Sequence, residues 1–134
     1  MANTTTIYQV FTALVNAIQK KTDEKNIYLM NRPDIADDNA KSFVVVDLPL
    51  QIYRNVVGEG DSLATTQGRI TLFVKSRTDG TPNINAMTEK LATLVGIFPL
   101  DTDIAAFTNA RETLGGKDDY GYQYMIIRFK IRIK

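Results

Sequence analysis

The chain contains no cysteine and no histidine. Without cysteine there is no disulfide, no thiolate nucleophile and no cysteine-bound metal. Without histidine the chain lacks the commonest general base near neutral pH and the commonest transition-metal ligand. Carboxylate chemistry and hard-cation binding remain open. The two absences nevertheless exclude most classes of enzyme, so we expect no catalytic role and no cofactor.

Long hydrophobic runs are missing as well. The longest, such as Phe43–Val46, are far shorter than the roughly 20 residues that cross a membrane. The segment Met1–Thr6 has neither a cationic start nor an apolar stretch, so we expect no secretory signal and synthesis in the cytoplasm. The chain has 134 residues, 44% of them hydrophobic and 23% charged. This composition predicts one globular domain, 1–134, that can bury a core and has no membrane partner.

The charge is balanced overall but unevenly placed. The net charge is +1, yet the end of the chain is strongly cationic and acidic residues gather in the predicted loops. The cationic surface of one copy can pair with the acidic surface of the next, which gives a head-to-tail arrangement. The alternative is a solvated face that discourages edge-to-edge aggregation. The candidate residues for a subunit or channel interface are Arg128, Lys130, Arg132, Lys134, Glu59, Asp61, Asp37 and Asp38.

The neighbouring aspartates Asp37 and Asp38 raise the question of a metal site. A calcium loop places its oxygen ligands at alternating positions around a central glycine, and no such loop surrounds this pair. We therefore expect no metal site.

The C-terminal segment Tyr120–Lys134 has two distinct faces. Its apolar residues occupy alternate positions from Met125 to Ile133, and the intervening positions from Arg128 to Lys134 are cationic. Side chains of a strand alternate between faces, so the pattern predicts a long strand with an apolar stripe opposite a cationic one. At about 3.3 Å per residue it would extend roughly 50 Å, which requires a long sheet, another subunit or both to cover it.

Periodicity elsewhere predicts two amphipathic helices and several strands. Apolar residues recur every three or four positions in Ile7–Lys20 and in Ile84–Phe98, with Thr5 or Thr6 capping the first helix and Asn83 or Asn85 the second. The fold class is α+β, with two helices packed on a mostly antiparallel sheet in the order α-β-β-β-α-β-β. The predicted strands are Asn26–Met30, Ser42–Leu48 with its continuation Leu50–Val57 after a bend at Pro49, Gln67–Arg77, and a hairpin of Ala106–Leu114 with Tyr120–Lys134.

The segment Gly58–Thr66 reads as a mobile loop and a candidate contact element, because it is rich in glycine, acids and hydroxyl residues. No lysine and no helix start follow its glycines, so it is not a phosphate-binding loop. The predicted core draws on both helices and on three strands. Its residues are Phe11, Leu14, Val45, Leu72, Leu91, Val95, Ile127 and Phe129.

Three stretches together resemble the tail-terminator or tail-completion proteins of bacteriophages, which join the tail to the head. They are the first helix with the proline-broken strand Ser42–Pro49, the strand, turn and helix of Ile70–Val95, and the turn and long strand of Asp118–Lys134. This resemblance implies a structural virion protein of a phage or prophage tail, assembled in the bacterial cytoplasm. It implies a hexameric ring that closes the tail tube and contacts the tail-tube protein and the head-completion or connector proteins.

Besides forming a contact between subunits, the cationic strand has two other possible roles. In a ring, cations along one face could lie beside DNA in the channel, since such a face attracts phosphates without reading sequence. The alternative to the ring is a nucleic-acid-binding module, in which Tyr120, Tyr122 and Tyr124 stack on bases next to the cations. Aromatic residues on a strand more often pack under a helix or at a subunit contact.

Overall fold

The computed structural model describes residues 5–22, 24, 26–29, 41–47, 53–56 and 62–134, with backbone only for 53–56 and 62–64. The fold is α+β, as the sequence predicts. Within the described residues it has two helices and seven strands. They are α1 (Ile7–Lys21), β1 (Ile27–Leu29), β2 (Ser42–Asp47), β3 (Tyr53–Val56), β4 (Ser62–Lys75), α2 (Ile84–Val95), β5 (Leu100–Asp101), β6 (Ala105–Lys117) and β7 (Tyr122–Ile133).

Both helices begin at the polar residues that the sequence places there. Thr6 and Gln9 form a capping box, in which each side chain accepts a hydrogen bond from the other residue's backbone N–H, at 3.3 and 2.7 Å. The side chain of Asn83 accepts from the N–H of Ala86 at the start of α2. These bonds satisfy N–H groups that have no partner within a helix. Neither helix in the described residues is long and apolar enough to cross a membrane.

The turn before α2 is built on Asp79. Its carboxylate accepts hydrogen bonds from the Thr81 hydroxyl at 2.6 Å and from the Thr81 N–H at 3.0 Å. These two bonds stabilise the charged form and hold the pKa of Asp79 below its ordinary value. This is the turn chemistry that the sequence Thr78–Pro82 predicts.

The strands form one sheet in the order β1-β2-β4-β7-β6-β5, and β3 pairs with the far end of β4. Only the short β1 runs parallel to its neighbour; the other pairs are antiparallel. The predicted hairpin of the last two long strands is confirmed, since β6 pairs with β7. The central strand β7 therefore lies between two other long strands, β4 and β6.

The helices pack on one face of this sheet and enclose a single large core. Alternate residues of β7 from Met125 to Ile133 are all buried in it, together with Leu14 of α1 and Leu94 of α2. Of the predicted core, Leu14, Leu72, Ile127 and Phe129 are buried in this cluster, and Val45 is buried on the opposite face. Phe11, Leu91 and Val95 pack against the core but stay partly exposed, so their predicted burial was wrong.

Several predicted boundaries need correction. The last strand begins at Tyr122 instead of Tyr120, and β4 ends at Lys75 instead of Arg77. Helix α2 ends at Val95, where Gly96 follows, and does not continue to Phe98. Residues 62–66 of the predicted loop belong to β4, because their backbone pairs with β3 and with β7. A short strand, Leu100–Asp101, forms where the sequence predicts neither a helix nor a strand. For residues 62–66 and for β5, pairing with a neighbouring strand overrides local composition.

Gly68 in the middle of β4 makes room for an aromatic ring of the core. It is the cross-strand partner of Phe129, and a Cβ atom at Gly68 would lie 2.6 Å from Phe129 Cε2. The ring of Phe129 cannot move away freely, because the rings of Phe98 and Phe107 lie 4.9 and 5.9 Å from it. The glycine is therefore required by packing rather than by an unusual backbone angle.

We predict that Gly68→Ala lowers the free energy of unfolding by about 1–3 kcal/mol, as for other overpacked cores. Urea unfolding measures this loss. The control is Gln67→Ala, an exposed position on the same strand, which should change stability by less than about 0.5 kcal/mol. Equal stability of the two variants would show that the Phe129 ring is not confined.

Candidate interaction surface

The sheet face opposite the helices carries most of the charge of the central strands. Side chains alternate along each strand, so the residues between the buried positions of β4 and β7 all project to this second face. The register places these positions side by side across neighbouring strands. We call the charged part of this surface the cationic sheet face. Its members are Arg69, Arg111, Arg128, Lys130, Arg132 and Lys134, all of them exposed.

Three arginines on adjacent strands form a row across this face. Arg69 of β4 is the cross-strand partner of Arg128, and Arg111 of β6 is the partner of Arg128 on the other side. Asp47 of β2 stands at the end of the row, opposite Arg69. Both Nε and Nη2 of Arg69 donate to Oδ2 of Asp47, at 3.0 and 2.7 Å. One guanidinium is thus neutralised at the edge of the row.

The other cations of the face differ in their surroundings. Lys134 forms an ion pair with Asp101 of β5. For Arg128, Lys130 and Arg132, the described residues supply no carboxylate within ion-pair distance. Their neighbours on β4 are Arg69, Gln67 and Thr65, which carry no negative charge. The middle of the face therefore carries positive charge that the described residues do not compensate.

Arg111 reaches this face because of a bulge in β6. Thr108 pairs with Lys130 and Arg111 pairs with Arg128, so β6 advances by three residues where β7 advances by two. The extra residue reverses the alternation, so Arg111 lies on the cationic side although Phe107, also at an odd position, is buried in the core. Asn109 within the bulge has φ 56°, in the left-handed region that asparagine tolerates better than most residues.

The part of this sheet face near the start of β7 is rich in aromatic residues. Phe43 of β2 and Phe73 of β4 are cross-strand partners with stacked rings 4.5 Å apart, and Phe73 lies 5.7 Å from the ring of Tyr124. Tyr122 is 1% exposed and packs edge-on against Phe43. These rings form a second, smaller core with Val45. They are structural, and Tyr122 does not present a ring to solvent.

The sequence-predicted interface residues therefore separate into two groups. Arg128, Lys130, Arg132 and Lys134 lie together on one exposed face, as the alternation predicts. The sequence pattern does not connect Arg69 with them, because it lies on another strand, and it does not predict the position of Arg111, because the bulge has no clear signature in the sequence. The predicted acidic residues Glu59, Asp61, Asp37 and Asp38 lie outside the described residues.

The chemistry available on this surface is electrostatic. Guanidinium and ammonium groups donate hydrogen bonds and attract anions, and arginine binds carboxylates and phosphates with two parallel bonds. The exposed arginines and lysines are therefore suited to bind an anionic partner.

Comparison with known proteins gives a fold but no family. No family model matches the chain, and no curated protein matches it. Solved structures do match, among them one of a protein whose designation carries no functional information. That structure shares 12% sequence identity over 92% of this chain and 95% of its own, with a TM-score of 0.54. At this identity the likeness shows a shared fold alone.

The bulge at Asn109 can be tested through its backbone angle. We predict that Asn109→Val lowers the free energy of unfolding by about 1–2 kcal/mol, because a β-branched residue is strained in the left-handed region. Asn109→Gly at the same exposed position should be as stable as the parent, since glycine adopts this angle freely. Urea unfolding of both variants measures the difference. Equal losses for valine and glycine would contradict the strained bulge.

Proposed function

We propose that this chain is a structural protein of a bacteriophage or prophage tail. In this role it forms a hexameric ring that closes the tail tube and joins it to the head, with the tail-tube protein and the head connector as neighbours. The order of helices and strands supports the proposal, since it is the feature that resembles tail-terminator proteins. We propose that the protein acts by assembly, without catalysis, in the virion.

The observation that carries the proposal is the uncovered outer half of β6. From Arg111 to Lys117 every residue is exposed, whereas the adjacent strand β7 is largely buried at alternate positions. Within the described part of the chain, β5 pairs with the outer edge of β6 only at Ala106 and Phe107. A long strand with an open edge is a template for pairing with another chain. We call residues 111–117 the β6 arm.

The β6 arm also carries an apolar side chain in solvent. Leu114 is 77% exposed, although its cross-strand partner Met125 is buried. A subunit that covered the arm would remove Leu114 from water. It would also provide hydrogen-bond partners for the backbone N–H and C=O groups along the open edge of the strand. We propose that the arm pairs with a different surface of the next copy, because a contact between unlike surfaces is the kind of interface that closes a ring.

The alternative of a nucleic-acid-binding module that uses the three tyrosines has weaker support. Stacking on bases requires ring faces that solvent can reach. Tyr122 is enclosed in the second core, and Tyr124 packs against Phe73 with its ring over Gly115. Tyr120 is 68% exposed and lies in the turn before β7, outside the strand that carries the other two. The tyrosines do not form a row of accessible rings.

The ring is tested by native mass spectrometry and electron microscopy of the purified protein at rising concentration. We predict hexamers at high concentration, and we predict that Leu114→Glu reduces them at least about tenfold, because a charge is costly to bury in a contact. The matched control is Ile84→Glu. It makes the same change at another exposed apolar residue, 57% exposed at the start of α2, and should leave the hexamer population unchanged.

Monomers alone at every concentration, together with the absence of the protein from tails purified from its host, would contradict the proposed function. If the Ile84→Glu variant lost hexamers and the Leu114→Glu variant kept them, the ring would stand but its contact would lie on α2 instead of the β6 arm. Circular dichroism of each variant shows whether the monomer remains folded.

A further inference from the structure

We infer that the cationic sheet face binds the phosphate backbone of double-stranded DNA without reading its base sequence. The face joins residues from three strands, and two of them, Arg69 and Arg111, come together with the cations of β7 only in the folded sheet. This inference does not rest on the ring. A monomer that binds DNA and never forms rings would support it and would contradict the proposed function.

The first argument is the repulsion between like charges that the fold places side by side on this face. Like charges directly opposite each other on neighbouring strands are destabilising. Here Arg128 has an arginine opposite it on both sides, and among the described carboxylates only that of Asp47 pairs with one of the three, Arg69. Folding therefore concentrates positive charge where the described residues do not neutralise it. An external polyanion would relieve this repulsion on binding.

The second argument is the regular spacing of the cations. Along β7, alternate residues are about 6.6 Å apart, so Arg128, Lys130 and Arg132 span roughly 13 Å. Across the strands, the arginine row from Arg69 to Arg111 spans about 10 Å. The result is a compact grid that can contact several phosphates at once, which is what a stretch of nucleic-acid backbone offers.

The third argument selects duplex DNA over a single strand. Proteins that bind single strands combine cations with aromatic rings on which bases stack. On this sheet face Tyr122 and Phe43 are buried, and Phe73 and Tyr124 pack on one another. What remains accessible beside the cations is Gln67, Thr65 and Thr108, which can donate to phosphate oxygens. The surface fits phosphates and offers no stacking platform.

The test begins with fluorescence anisotropy of a labelled 30-base-pair duplex of mixed sequence. We expect binding that weakens about 100-fold between 50 and 200 mM salt, as for about four phosphate contacts. Duplexes of different sequence should bind equally, and a single strand of the same length should bind more weakly. Tighter binding of the single strand would overturn the inference, as would binding that does not depend on salt.

A matched pair of charge variants locates the site. Replacing Arg128, Lys130 and Arg132 by glutamine should weaken binding at 50 mM salt by at least about tenfold and flatten the salt slope by about 2.7. The control replaces Lys20, Lys21 and Arg77, which are exposed and lie outside both the cationic sheet face and the β6 arm, and removes the same charge. Control binding should stay within about twofold of the parent. Equal losses in both variants would show that net charge alone attracts DNA.

Asp47→Asn provides a variant that should gain affinity. Removal of this carboxylate frees the Arg69 guanidinium for phosphate, and we expect binding to tighten about two- to fivefold, the effect of one exposed ion pair. An increase in DNA affinity is informative because partial loss of the folded protein would lower the measured affinity. Unchanged or weaker binding by this variant would place the DNA away from Arg69.

The triple glutamine variant also separates DNA binding from contacts between copies. If it lost self-association but kept DNA binding, the face would be a contact between copies and the inference would fail.

Discussion

The pairing of β7 with both β4 and β6 is the constraint on which the rest of this structure depends. The register runs from Tyr122 to Ile133 against β4 and nearly as far against β6. A slip by one residue would move every side chain of the strand to the other face. It would bury Arg128 and expose Ile127. The same hydrogen bonds therefore determine both the core under the helices and the charge pattern on the opposite surface.

The two faces of β7 make opposite contributions to stability. The apolar positions from Met125 to Ile133 are buried, and each large side chain removed from water contributes about 1.5–3 kcal/mol. The cationic positions oppose folding, since like charges are held side by side, but repulsion between exposed charges is weakened by water and salt. Burial on one side is large enough to hold the cations in register on the other. The sheet thus maintains a charged surface that isolated strands would not.

Local patterns predicted much of this fold, and pairing between distant segments explains what they missed. The caps at Thr6 and Asn83 and the alternation of β7 follow from neighbours in sequence. Arg111 could not be placed, because one inserted residue at the bulge reverses its face and only the register with β7 reveals it. Burial of Tyr122 depends on Phe43, which comes from a distant strand. Leu91 shows that helical periodicity identifies an apolar stripe but not which of its residues lie at the edge.

The β6 arm and the cationic sheet face belong to one sheet, and this connects the two proposals. Subunits joined through a strand edge keep the faces of their sheets aligned, because side chains alternate in the same way across each new pair. All cationic faces would then lie on one side of the ring and all helices on the other. The helices form a second layer on the sheet and require more space around the ring than the uncovered sheet face does. The helices would therefore lie on the outside of the ring, and the cationic faces would line the inside. A surface that binds phosphates without reading sequence suits a channel through which any part of a genome must pass.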